Sequence, residues 1–189
     1  MIKTKAVQTG KMMSERKKIT NRLTELTIQF ANRRNEIYAT EVVLDGNTSH
    51  PKRVDIMSFK PLHQQSVVGI ERGEFTCYEV KSCVEDVYSG HGINFYGDKN
   101  YLVMPMSVWV KLNKDVVSGK LTNFIEQNRN RNVPYGVIIA HDPQYGIFEN
   151  DGELDKWELE IACGAIPAYR EKSLVELLFA LLNAKNYGR

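Results

Sequence analysis

Two short runs carry side chains suited to holding a divalent cation: Arg53-Val54-Asp55-Ile56 and, further on, Tyr78-Glu79-Val80-Lys81. Alternate side chains of a strand share a face, so Glu79 and Lys81 point one way while Tyr78 and Val80 point into the core. If the strand bearing Asp55 pairs alongside, a second carboxylate joins the same polar face. Two crowded carboxylates repel each other and call for a cation. Hard oxygen donors favour Mg²⁺ or Mn²⁺ with water in the remaining positions, and the main-chain carbonyl of Val80 is a natural third protein ligand. A lysine at position 81 can hydrogen-bond an attacking water or offset charge that builds on a pentacovalent phosphate. Together these are the parts for metal-assisted phosphodiester hydrolysis. The acid-x-Lys spacing recurs at Glu15-Arg16-Lys17, but in the first turn of an expected helix, where residues two apart do not face each other. The plain alternative is a surface strand with unrelated charges.

The elements that must position these groups follow from periodicity. From Ser14 the pattern turns helical, with Ile19, Leu23, Leu26 and Phe30 forming one apolar stripe, and residues 1–13 are expected as a loose tail. Strands are expected over Tyr38–Leu44, Arg53–Phe59 and Phe75–Lys81, an antiparallel meander whose first turn is Asp45-Gly46-Asn47. Residues 60–73 are harder to assign, with a strand extension expected over Ser66–Glu71. A helical turn (Val84–Tyr88) then precedes the glycine-rich run SGHGINFYGD. Tyr101–Met104 and Tyr135–Ala140 read as buried strands, with two short helices between them over 107–130. A hairpin around Asn150-Asp151-Gly152 leads to an arm where Trp157, Leu159 and Ile161 alternate with Glu158 and Glu160. Ser173-Leu174-Val175-Glu176 is a capping box, followed by a stripe at Leu174, Leu177, Leu178, Leu181 and Leu182. The expected class is α/β, a single domain over residues 14–189.

Composition narrows the setting. The chain has 189 residues, 42% hydrophobic and 25% charged, as in ordinary globular proteins, with a net charge of only +2. No apolar run approaches the roughly 20 residues that span a bilayer, so no membrane association is expected. The first residues have no apolar core of a secretory leader. Three cysteines without a CxxC pair, Cys77, Cys83 and Cys163, read as reduced thiols, and a cytoplasmic location is expected. The charge is uneven: residues 1–34 carry nine basic and two acidic groups (9 − 2 = +7), residues 141–160 one basic and seven acidic (1 − 7 = −6). The basic end suits a polyanion and the acidic hairpin is expected to face away from one; two solvated faces are the bland reading.

The run TEVVLDG…RVDI…FTCYEVKS…ED…GDKNYLVMP resembles the PD-(D/E)XK nuclease superfamily, and in particular its MmcB-like DNA-repair branch, over roughly residues 38–182. The resemblance implies a restriction-endonuclease-like core, a mixed central sheet flanked by helices. It implies an Mg²⁺-dependent (or Mn²⁺-dependent) site with Asp55 and Glu79 as metal ligands and Lys81 as catalytic lysine. Glu41 matches an additional acid of that branch, a further ligand or a holder of metal-bound water, and Asp86 matches an acid after the lysine strand. The chain departs from the pattern in two places. The element after Lys81 is short and broken by Gly90, Gly92 and Gly97, with Asn94 the only substitute for a missing Gln. The segment between Asp55 and Glu79 is long, suggesting a protruding hairpin.

For DNA, the expected contacts are Lys17, Lys18, Arg33 and Arg34 on the N-terminal helix and Arg129 and Arg131 in QNRNRN, neutralising phosphates without reading sequence. Tyr38, Phe95, Tyr96 and Tyr101 are assigned to the core. His50, His63, His91 and His141 have no metal-ligand spacing, and no dinucleotide or Walker fingerprint occurs. The expectation is a metal-dependent nuclease acting on DNA in repair or processing, with a protein partner in such a complex as a further expectation. A non-catalytic nucleic-acid-binding or scaffold protein of the same fold is the alternative.

Overall fold

The computed structural model describes residues 3–46, 48–49, 51–63, 66–129, 133–145, 151–184 and 186–188, with side chains described from Glu15 onward and only the backbone at 186–188. Helix α1 (Lys3–Arg33) leads into β1 (Ile37–Leu44), β2 (Lys52–Lys60), α2 (Val67–Glu71), β3 (Glu74–Val80) and α3 (Val84–Tyr88). Then come β4 (Lys99–Pro105), α4 (Met106–Val117), α5 (Lys120–Arg129) and β5 (Gly136–His141). A single 3₁₀ turn, β6 (Glu158–Cys163), α6 (Leu174–Leu182) and β7 (Asn186–Gly188) complete the chain. The helix thus begins at Lys3 rather than Ser14. Residues 3–13 contain no proline and one glycine, so nothing in them stops a helix from running on.

One mixed sheet of order β6-β5-β4-β3-β2-β1-β7 divides the molecule. The β1–β2–β3 meander is antiparallel, β3–β4 and β4–β5 are parallel, and β6 and β7 close the edges antiparallel. Helix α1 lies across one face, where Leu23 and Leu26 bury against Ile56, Tyr78, Val80, Val103 and Ile138. The stripe read from the sequence is the face it uses. On the other face α3–α5 cover Leu102, Met104, Val137 and Ile139, while α6 covers Val54, Met57, Phe75 and Cys77. The capping box is formed: Ser173 Oγ accepts from the Glu176 N–H, and the Glu176 carboxylate accepts from the Ser173 N–H.

Three local readings are corrected. Residues 67–71 are a helical turn, not a strand extension, because Ser66 caps it with its Oγ accepting from the Gly69 N–H at 2.9 Å. The long β2–β3 connection therefore carries α2 instead of a hairpin. Ile161 is well exposed, since β6 is an edge strand whose outer half no element covers, and of the expected hairpin tip Asn150 lies outside the described residues.

A slip in β1 and β2 does most to shape the site. Ala39 buries against α6, and so do Val42 and Leu44, although positions 39 and 42 differ in parity. In β2, Met57 and Phe59 bury against α6, Ile56 buries against α1, and Val54 again buries against α6. Both strands change phase at one level, between the pairs Thr40↔Ile56 and Val42↔Val54. The residues left facing each other there are Glu41 and Asp55. Glu41 takes φ +52°, the left-handed region that costs a non-glycine residue roughly 1 kcal/mol or more.

Candidate functional site

The β2–β3 ladder ends at Ile56↔Tyr78, one residue short of Asp55. Beyond it the Val80 N–H has no strand partner in β2. It donates instead to Asp55 Oδ2 at 2.9 Å, so the Asp55 side chain fills the opening between the diverging strands. On the far side β3 stays paired: Glu79 stands opposite Leu102 of β4, and the Lys81 N–H donates to the Val103 carbonyl at 2.8 Å.

Glu79 does project with Lys81, as alternation requires, but the face is not a solvated one. Glu79 is 0% exposed, roofed by the chain from His91 to Asn94. Its Oε1 accepts from the Asn94 N–H at 2.9 Å, while among the described residues no N–H or hydroxyl donor reaches its buried Oε2, and the Asp55 carboxyl is its neighbour. The Lys81 ammonium, also buried, donates to the His91 carbonyl at 2.6 Å. Gly92, at φ +64°, passes so close that a Cβ there would stand 3.1 Å from Glu79 Oε2 and 3.3 Å from Lys81 Nζ. Glycine is favoured here by its backbone angle, and a Cβ would also push the Glu79 and Lys81 side-chain ends aside by a few tenths of an ångström.

The two carboxyls are neighbours and feel each other. Burial, then the Asp55 charge, push Glu79 well above the usual carboxylate range, against the pull of Lys81 and the Asn94 N–H. Burial raises Asp55 too, opposed by the Val80 N–H, Lys81 and Arg53. Paired carboxyls of this kind share a proton or hold a cation. Asp55, Val80 and Lys81 open onto a cavity of about 570 Å³ whose opposite wall is the polar side of α1: Thr20, Asn21 and Thr24. Glu41 also lines it, exposed at the rim, with Arg53 at 3.5 Å as its ion-pair partner rather than the other acids. Asp86 has a local task, since its Oδ2 accepts from both the N–H and the hydroxyl of Ser82 and so shapes the turn after Lys81.

A metal ion fits this donor set chemically. Asp55, the orphaned oxygen of Glu79 and a main-chain carbonyl at Val80 are hard oxygen ligands, the kind that Mg²⁺ and Mn²⁺ prefer. Among the described residues no group of three or more His, Cys, Asp or Glu side chains is placed to hold a metal, so water would have to supply much of the coordination. No family model, curated protein or solved structure matches the chain. The site therefore rests on its own geometry.

The expected phosphate contacts divide. Lys17 is exposed one turn before Asn21, on the side of α1 that faces the cavity. Lys18 is exposed too, but beside Leu154 and Asp155. Arg33 lies with Asp142, Asp155 and Glu158 around a second cavity, so the acidic segment packs along α1 instead of standing apart from it. Arg22 fastens that segment by donating to the carbonyls of Leu154, Asp155 and Trp157. Arg34 is held by Glu36 at 2.6 Å and stacks over Phe30. The Arg129 side chain is only 8% exposed, bound to Glu171 at 2.8 Å and lying 4.6 Å from the Tyr96 ring centroid. Arg34 and Arg129 are structural in this arrangement, and Arg131 lies outside the described residues. Sequence reasoning missed the α1 wall and the roof from His91 to Asn94. The glycines at 90 and 92 marked the roof, but as a broken helix rather than as a close approach.

Proposed function

We propose that the chain is a metal-dependent nuclease that hydrolyses DNA phosphodiester bonds, with Mg²⁺ or Mn²⁺ held by Asp55, Glu79 and the Val80 carbonyl. One observation carries this reading: Asp55 and Lys81 line an open polar cavity, and directly behind them the fully buried carboxyl of Glu79 is a neighbour of Asp55. A fold that needed only stability would replace or neutralise such a pair. The resemblance to the PD-(D/E)XK superfamily, the α/β sandwich, and the order acid, acid-x-lysine on adjacent strands support the same reading.

When bound, the cation polarises a phosphoryl oxygen and lowers the pKa of a coordinated water. The protein's own groups do the rest. Asp55, on the cavity wall, would bind the cation in its ionised form, with the Glu79 carboxyl next to it as the second acid. Lys81 has three N–H donors, one spent on the His91 carbonyl. The others are free to hold a water in line or to meet charge developing on the phosphate. Glu41, at the rim, would accept a hydrogen bond from water in the cavity, and Arg53 beside it would offset phosphate charge. Lys17, with Asn21 and Thr24 beyond it, guides the adjoining stretch of backbone along α1. A role in DNA repair or processing, with a protein partner, in the cytoplasm, belongs to the same proposal; no described helix is long and apolar enough to cross a membrane.

The test is cleavage of single-stranded, duplex and branched DNA with Mg²⁺ or Mn²⁺. Wild-type protein cuts at least one substrate, and Lys81→Ala and Asp55→Asn abolish cutting while retaining the fold. DNA binding with no cleavage under any metal would move the assignment to a scaffold.

A further inference from the structure

Where the β2–β3 ladder has ended, the two carboxylate-bearing strands are joined by the Val80 N–H to Asp55 bond and by one residue from outside both strands, Asn94. Asn94 donates its backbone N–H to Glu79 Oε1 at 2.9 Å and its side-chain Nδ2–H to the Arg53 carbonyl at 2.7 Å. The first bond reaches the acid of β3; the second reaches β2 two residues before Asp55. Asn94 is itself buried, in the roof that also passes Gly92 over Glu79 and Lys81. We infer that Asn94 is a positioning residue for the metal site, a bracket that sets the separation of Asp55 and Glu79 in place of the missing strand pairing. This rests on the metal-site reading above.

The chemistry asks for such a bracket. Past the end of the ladder Asp55 meets β3 through the Val80 N–H and the neighbouring Glu79 carboxyl, and these are side-chain contacts that leave the backbone of β2 unpaired with β3. Asn94 supplies two donors on one short, rigid unit. One fixes the rotation of the Glu79 carboxyl by holding its Oε1; the other stops β2 from drifting at the slip. Groups that orient metal ligands in this way commonly change metal affinity about 10–100-fold when removed. The side chain must donate to a carbonyl, which the amide does, whereas a carboxylate there could not donate and would add a third negative group.

The experiment compares wild-type chain with Asn94→Ala and Asn94→Asp. Mn²⁺ affinity is measured calorimetrically without DNA, and exchange of the Val80 amide is followed by NMR in the metal-free protein. In Asn94→Ala the backbone bond to Glu79 survives and only the arm to Arg53 is lost. Mn²⁺ affinity is expected to fall at least about 10-fold, with faster Val80 exchange because Asp55 no longer stays on that N–H. Asn94→Asp is expected to fall at least as far; it has nearly the same size and carries the test should the alanine variant not fold. Unchanged Mn²⁺ affinity in a folded variant overturns the bracket, whatever the amide does. Absence of Mn²⁺ and Mg²⁺ binding in wild type overturns the metal reading itself, and Val80 exchange unaltered by Asn94→Ala then overturns the bracket as well.

Discussion

Two buried glutamates lie near Tyr78, and their surroundings are opposite. Glu36, 2% exposed, has every oxygen occupied: Oε1 accepts from Arg34 at 2.6 Å, and Oε2 from the Ser58 hydroxyl at 2.6 Å and the Tyr78 hydroxyl at 3.4 Å. Glu79 has one oxygen bonded, one bare, and a second carboxyl for a neighbour. Glu36 closes the join between α1 and β1 with its charge matched. Glu79 is left in a state that the fold alone does not resolve. A buried acid that is fully satisfied reads as architecture; one left wanting a proton or a cation reads as a place where chemistry enters.

The contrast can be broken at its strongest point first. Glu79→Gln and Asp55→Asn are expected to lower cleavage about 10³-fold or more and to remove Mn²⁺ binding, as read by gel assay and calorimetry, whereas Glu36→Gln leaves both in place. The stability effects should run the other way. Glu36→Gln leaves Arg34 without its partner and should cost about 1–3 kcal/mol in denaturant unfolding. Metal-free Glu79→Gln removes a carboxyl whose ionised form burial and Asp55 disfavour, and should raise stability at a pH where the wild-type pair is ionised. A loss in both variants would erase the distinction between the two acids.

Acidity offers a subtler probe. Asp55 and Glu79 have folded pKa values above those of the unfolded chain, roughly 3.9 and 4.3 for model carboxyls. Their contribution to stability is thus complete below those unfolded values and is lost as pH rises through the raised folded ones. Metal-free melting temperature is expected to decline over that interval, and saturating Mn²⁺ to cancel the decline, since the cation binds the ionised pair. In Asp55→Asn the decline should shrink. A flat metal-free profile would contradict the burial assigned to the pair.

The smallest effect separates two adjacent lysines. Lys17→Glu faces the cavity side and should weaken DNA binding more than Lys18→Glu, which stands by Asp155. The slope of log affinity against log salt should flatten by about one for each phosphate that is no longer neutralised. Equal losses of affinity in the two variants would mean that DNA does not follow the cavity side of α1.

Legibility in the sequence tracked how local each signal was. The α1 stripe, the meander, α6 and its Ser173 cap are encoded within a few residues, and all of them form. Asp55, Glu79 and Lys81 stood out because strand alternation is itself local, and the fold makes them neighbours. The slip at Glu41 and Asp55 left no mark: a glutamate at positive φ carries none of the glycine or asparagine signature of that conformation. Helix α2 was masked by Val67, Val68 and Ile70, which favour strands; its one clue was Ser66. Arg129 sits in a run that reads as solvated, and only the fold brings Tyr96 and Glu171 to it. Strand β7 is three residues long, too short for any periodicity to announce it.

The phase change shared by β1 and β2 also bears on how this chain tolerates variation in length. The connection between Leu44 and Lys52 lies beyond it, and added residues there should leave the orientation of Asp55 unchanged. A single-residue insertion in β2 between Asp55 and Phe59 would be different. It would carry the acid past the end of β3 and swap the buried and open sides of everything before it. Natural indels should therefore gather at the tip and avoid the stretch that follows.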